Sequence, residues 1–190
     1  EVNDLNDGRR GLYGVGIITA ALAFGGEDPG TAYEAKAESW NGTSWTEVGD
    51  LNTARERMAG SGTYTLALAF GGQTSTQLAV TEDWNGASWT ATTSIPAVRQ
   101  EMAGWGLTST AGAIVGGTQD GPNITAETLE WDGTSWTAGG DYPSVLKYST
   151  AFGSSNSAIV AGGENATAKI GICAHYNGTS WTEVAELTTT

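Results

Sequence analysis

Leu66-Ala67-Leu68-Ala69-Phe70 is a short apolar run that stops at Gly71-Gly72, a pattern that predicts a strand buried on both faces. Before it, Met58 to Thr63 alternates small residues with glycine, which predicts a strand where neighbouring backbones come close. After it, Leu78 to Trp84 reads as a third strand and Ser88 to Thr92 opens a fourth. Between those two, Asn85-Gly86 predicts a type I′ hairpin, with both central residues at positive φ. The local reading is therefore a meander of four antiparallel strands.

The same pattern recurs along the chain. Glycine pairs stand at Gly25-Gly26, Gly71-Gly72, Gly116-Gly117 and Gly162-Gly163, at spacings of 46, 45 and 46 residues. A second marker follows each pair: Trp40 to Trp45, Trp84 to Trp89, Trp131 to Trp136 and Tyr176 to Trp181, each enclosing an Asn/Asp-Gly turn. Seven of the eight tryptophans lie in this marker, Trp105 being the exception. A third marker, Arg9, Arg55 and Arg99, precedes the glycines, and Leu146 breaks that series. Three markers in fixed order define a repeat protein.

A lone four-stranded sheet of about 46 residues cannot hide both of its faces, so its neighbours must stack on it. The expected fold is all-β: a β-propeller of four four-stranded antiparallel blades. Residues 1–8 are the stump of a preceding unit, and the blades span 9–52, 53–96, 97–143 and 144–190. Glu1-Val2-Asn3-Asp4-Leu5-Asn6 matches Glu47-Val48-Gly49-Asp50-Leu51-Asn52 in phase, which suggests a piece of a longer array. Closure of the ring within one chain is expected; the alternatives are a ring of two chains or stacking of open edges.

Composition narrows the picture. Gly is 28 of 190 residues, about twice the usual ~7%, as suits many tight turns. Eight basic against 21 acidic residues give a net charge of −13, which repels phosphate backbones and anionic membrane surfaces. Nucleic acid and membrane insertion are excluded as expected partners. Cys173 is alone, so no intrachain disulfide forms and no cysteine-based zinc site is expected.

The order of arginine, glycine pair, aromatic, Asn/Asp turn and tryptophan resembles the kelch repeat over residues 9–184. That resemblance implies that the glycine pair ends the second strand and that the fourth-strand tryptophan packs between blades. The structural set it implies is Trp40, Trp45, Trp84, Trp89, Trp131, Trp136, Tyr176 and Trp181. The wording Trp-Asn-Gly-Thr-Ser-Trp-Thr-Glu-Val, with Ala-Phe-Gly-Gly, is also similar to kelch-like arrays of marine bacteriophages and aquatic metagenomes. There it implies a virion or surface protein. Such motifs speak to fold far more than to function.

Candidate chemistry is sparse. The loops between second and third strands vary most: Glu27 to Tyr33, Gln73 to Gln77, Thr118 to Thr125 and Glu164 to Lys169. Variation on a fixed frame is where binding specificity resides, so Glu27, Asp28, Gln73, Asp120 and Glu164 are candidate ligand contacts. Arg9, Arg55 and Arg99 have two readings. They form a partial positive ring at the channel mouth that holds an anion, or they pair with an Asp or Glu of the next blade or cap loop carbonyls, with Asp50, Glu56 and Glu101 as acidic neighbours. His175 is the only histidine, so no catalytic residues, metal site or cofactor are assigned. Kelch-type copper oxidases need a second histidine that this chain lacks, and the sialidase-type Asp box does not match. No segment has the spacing of a calcium loop. Sequons occur at Asn41, Asn123, Asn165 and Asn177; those at Asn41 and Asn177 belong to the hairpin wording.

The expected function is a non-enzymatic binding or structural module of an extracellular or virion surface, such as a tail-fibre β-propeller. Its partner would be a glycan or protein on a cell surface, met by the variable loops. The alternatives are a purely architectural unit that self-associates through blade edges, and a hydrolase using a pair of loop carboxylates.

Overall fold

In the computed structural model, which describes residues 3–188, each repeat folds into one four-stranded antiparallel sheet. The first holds β1 (Tyr13–Ile17), β2 (Ala20–Phe24), β3 (Ala37–Trp40) and β4 (Trp45–Val48), and the second β5 (Ala59–Gly62), β6 (Ala67–Phe70), β7 (Thr81–Trp84) and β8 (Trp89–Thr92). The third holds β9 (Ala103–Thr108), β10 (Ala111–Val115), β13 (Thr128–Trp131) and β14 (Trp136–Ala138). Its loop carries a small hairpin, β11 (Thr118–Gln119) and β12 (Asn123–Ile124). The fourth holds β15 (Thr150–Ser154), β16 (Ser157–Ala161), β17 (Ile172–Tyr176) and β18 (Trp181–Glu186). The described residues contain no helix. Residues 1–2 of the expected stump and 189–190 of the last unit lie outside the described residues.

Every second strand is apolar on alternate residues toward two different neighbours. Leu22 and Phe24 of the first sheet pack with Ala67, Ala69, Trp84 and Trp89 of the second. Leu68 and Phe70 of the second pack with Ile114 and Trp131 of the third. Ala113 and Val115 of the third pack with Ala158, Val160 and Tyr176 of the fourth. Each sheet thus has a leading face, directed at its successor, and a trailing face that carries the aromatic pair. The Phe24 ring meets Trp89 at 4.9 Å and Phe70 meets Trp136 edge-on at 5.1 Å, contacts worth about 0.5–1.5 kcal/mol each beyond their buried area.

The innermost strands pack in the order β1, β5, β9, β15, and they come so close that side chains are excluded. A Cβ on Gly104 would stand 2.8 Å from the Gly60 carbonyl oxygen. Residues of all four inner strands, Gly14, Gly60, Gly104 and Gly153 among them, line one hollow of about 170 Å³. The closing contact expected between the fourth and first units is not formed: β15 makes no packing on β1 comparable with the three seams. Phe152 and Ile159 remain exposed on the leading face of the fourth sheet.

The hairpin markers differ from expectation in a telling way. Trp84 pairs with Trp89, so the connection is a four-residue loop, and of Asn85 and Gly86 only the glycine has positive φ, at 95°. The Asn85 side-chain oxygen accepts the backbone N–H groups of Ala87 and Ser88, both at 3.0 Å. Asn41, Asp132 and Asn177 do the same. The position demands a short side-chain acceptor, which is why aspartate serves as well as asparagine.

Candidate ligand-binding face

The segment that enters each inner strand runs beside the start of the variable loop of the same unit. Arg10 pairs with Glu27, Glu56 with Gln73, Gln100 with Thr118 and Lys147 with Glu164, each by antiparallel backbone bridging. These bridges hold the loops and the strand entries on one face, as their alternating strand direction requires.

The residue after each bridge adopts a left-handed backbone: Gly11, Arg57, Glu101 and Tyr148 have φ of 63°, 54°, 62° and 54°. A non-glycine residue in this region costs energy that the surroundings must repay. Here the return is a relay of backbone hydrogen bonds between units. The Arg57 N–H donates to the Gly11 carbonyl at 2.8 Å, Glu101 to Arg57 at 3.0 Å and Tyr148 to Glu101 at 3.0 Å. The four residues, with Tyr13, Met58, Met102 and Ser149, line a hollow of about 360 Å³ above the inner strands.

Glu101 is the hub of this rim. Its carboxylate accepts from the Tyr148 hydroxyl at 2.5 Å, Arg57 at 2.6 Å and Thr118 at 2.9 Å, with Lys147 Nζ at 3.7 Å. Burial pushes the carboxyl up, but these donors and the neighbouring charges outweigh it and hold Glu101 below the usual carboxylate range. Burial and the adjacent carboxylate push the Tyr148 hydroxyl up to about 12. Lys147 also lies over the Tyr148 ring, 4.8 Å from its centre. The result is a rim of mixed charge with one exposed aromatic ring, able to offer hydrogen bonds of both senses and a flat apolar surface.

The predicted site residues divide. Arg9, Arg55 and Arg99 do not line this hollow. Their side chains have no exposed surface, and they pair with Glu38 at 2.6 Å, with Glu82 and with Glu127. Each partner lies in the arginine's own unit rather than in the next one, and none is Asp50, Glu56 or Glu101. Burying a guanidinium requires a paired carboxylate, and glutamates on the third strand, or just before it in the case of Glu127, supply it, so the anion-binding reading of the three arginines is corrected.

Glu27 is buried against Arg10 at 3.1 Å, whose guanidinium holds its carboxyl below the usual range. Asp28 accepts the Ala32 N–H at 2.8 Å within its own loop. Gln73 donates to Glu56 at 2.7 Å. Gln73 and exposed Asp120 lie together at a second hollow of about 460 Å³ between the second and third loops. Glu164 pairs with Lys147 at 3.2 Å. The loop residues therefore share the face, while Arg57, Glu101 and Tyr148 at its centre went unassigned from sequence. Among the described residues, no three His, Cys, Asp or Glu side chains gather to hold a metal.

The aromatic set is structural. The indole N–H groups of Trp40, Trp84 and Trp131 donate to the Ile18, Tyr64 and Ser109 carbonyls in the inner hairpin of their own sheet. Tyr176, Trp136 and Trp181 reach back to the preceding unit instead, at Glu130, Thr93 and Gly140. Compared with protein-family models and with curated proteins, the chain matches no family model and no curated sequence.

Proposed function

We propose that the chain is a β-propeller built of kelch-like units, serving as a non-enzymatic binding module of a virion or extracellular surface. Its loop face recognises a glycan or protein. The observation that carries this reading is a constant frame with variable contents. Four equivalent left-handed positions, joined in one backbone relay, present Gly11, Arg57, Glu101 and Tyr148 at the mouth of one hollow. A frame kept for folding alone has no need of strained Arg, Glu and Tyr where glycine costs least. The long loops beside it vary in the same way.

An exposed aromatic next to paired acidic and basic groups suits hydroxyl-rich and peptide ligands alike. The test is retention on a glycan array and on intact cells, comparing the native chain with Tyr148→Ala and Arg57→Ala. Both variants are expected to lose at least tenfold in affinity, whereas Thr43→Ala on the opposite hairpins has no effect. No retention of the native chain on either surface overturns the reading.

A further inference from the structure

At three of the four bridges between a strand entry and its variable loop, the two side chains engage each other. Arg10 meets Glu27 at 3.1 Å, Gln73 donates to Glu56 at 2.7 Å and Lys147 meets Glu164 at 3.2 Å. The third bridge, Gln100 with Thr118, is different. The Thr118 hydroxyl donates to Glu101 at 2.9 Å, so it does not answer Gln100 across the bridge. Among the described residues, the Gln100 side-chain oxygen is buried and has no hydrogen-bond partner. Native structures rarely leave such an acceptor orphaned without a reason.

Gln100 lines the hollow of about 460 Å³ between the loops of the second and third units. One wall is held in place by Gln77, whose amide nitrogen donates to the Gly121 carbonyl at 3.0 Å and whose oxygen accepts the Gly121 N–H at 3.0 Å. A wall fixed before binding leaves a ligand little to order. The rest of the lining is mostly neutral and polar: the amides of Gln73 and Gln100, the exposed hydroxyls of Ser75 and Thr76, and the half-buried Val98. Exposed Asp120 is the one ionisable side chain in it. Both loops belong to units with a neighbour on either side, so the outline of this hollow does not depend on the first or the last sheet.

We infer that this hollow is a subsite for an uncharged sugar residue, which deepens the loop-face recognition proposed above and rests on it. A side-chain amide offers both donors and an acceptor, as a hydroxyl does, so the lining meets successive sugar hydroxyls whichever way each proton turns. Its volume falls within the ~300–1,000 Å³ of small-molecule sites. The Gln100 oxygen takes one hydroxyl proton, and Val98 offers an apolar patch to the C–H face of the ring. A carboxylate or sulfate on the sugar would meet Asp120 and the net charge of −13, so the site selects neutral residues by repelling acidic ones.

An array of neutral and acidic glycans, read beside binding to intact cells, tests this with the native chain, Gln100→Leu, Asp120→Asn and Tyr148→Ala. The native chain is expected to retain neutral glycans, and Gln100→Leu to lose at least tenfold in affinity for them. Its thermal unfolding is expected not to fall, because the substitution removes an unpaired acceptor. Asparagine suits the left-handed backbone of Asp120 (φ 47°) as well as aspartate does, and Asp120→Asn is expected to admit acidic glycans that the native chain rejects. Full binding by Gln100→Leu, a native preference for acidic glycans, or unchanged selectivity in Asp120→Asn overturns the inference. So does a lower unfolding temperature in Gln100→Leu, the mark of a merely structural glutamine. If the native chain binds cells but no glycan, the inference falls while the loop-face reading stands with a protein ligand. If Gln100→Leu loses glycans and Tyr148→Ala does not, this subsite stands and the rim reading falls. Retention on neither surface removes both.

Discussion

The second and fourth units solve the same packing problem with different chemistry. In the second, Arg55 is buried against Glu82, and Asn52 donates to that carboxylate through its backbone and side chain, both at 2.7 Å. In the fourth, the equivalents are Leu146 and Ala174, both fully buried, and the asparagine is replaced by Pro143, which has no N–H to donate. The first unit repeats the polar set as Asn6, Arg9 and Glu38. The third is intermediate: Pro96 and Leu129 stand at the asparagine and glutamate positions, while Arg99 finds Glu127, two residues earlier on the chain, and Gln119 at 2.9 Å. The comparison teaches that the buried arginine is kept only where a carboxylate stands within reach, at the usual position or a nearby one, because a buried ion pair is tolerated only whole.

The sharpest break is Arg55→Leu alone. It leaves the Glu82 carboxylate buried without its cation, and a loss of about 3–5 kcal/mol is expected, read from urea unfolding. Adding Glu82→Ala, which copies the fourth unit, is expected to return the protein to within about 2 kcal/mol of native stability. A double variant as unstable as the single one would show that the pair contributes more than its own neutralisation. In the third unit the carboxylate of Glu127 is partly exposed and Arg99 also donates to Gln119, so Glu127→Gln, which leaves a buried guanidinium without its anion, is expected to cost less than Arg55→Leu, about 1–3 kcal/mol, by the same measurement.

The smallest effect is one of slope. Burial raises the Glu38 carboxyl, but Arg9 and Asn6 outweigh it and hold Glu38 below the usual carboxylate range, as Glu101 is held. The unfolded chain therefore takes up these protons first. Their stabilisation is full above the ordinary glutamate value of about 4.3 and fades as pH falls toward the depressed folded value. Amide exchange in the first unit is expected to lose protection on acidification through this window, and Glu38→Gln to flatten that response. The Leu146–Ala174 locus has nothing to titrate and is expected to hold its protection.

The four sheets were legible because the strand pattern, the Gly-Gly stops and the Trp-bounded turns recur with little variation. The turn itself was misread: Asn85-Gly86 looks like a two-residue connection, and only the pairing of Trp84 with Trp89 reveals the longer loop. The arginines left two readings open, yet a deciding signal was present. Glutamate stands two residues before Trp40 and Trp84 and is gone, together with the arginine, in the fourth unit. The rim was illegible for a different reason. Left-handed backbone is usually announced by glycine, and only Gly11 does so; Arg57, Glu101 and Tyr148 hide the position because the relay of amides enforces it.

That relay also has a bearing on how such a gene can change length. Every amide in it points the same way round, and each seam repeats the same backbone hydrogen bonds although its side chains differ. Tandem duplication or in-frame loss of one whole repeat would leave each remaining donor facing an acceptor. The number of repeats is thus free to drift by unequal recombination without redesign of the backbone relay, while the rim gains or sheds one variable letter each time.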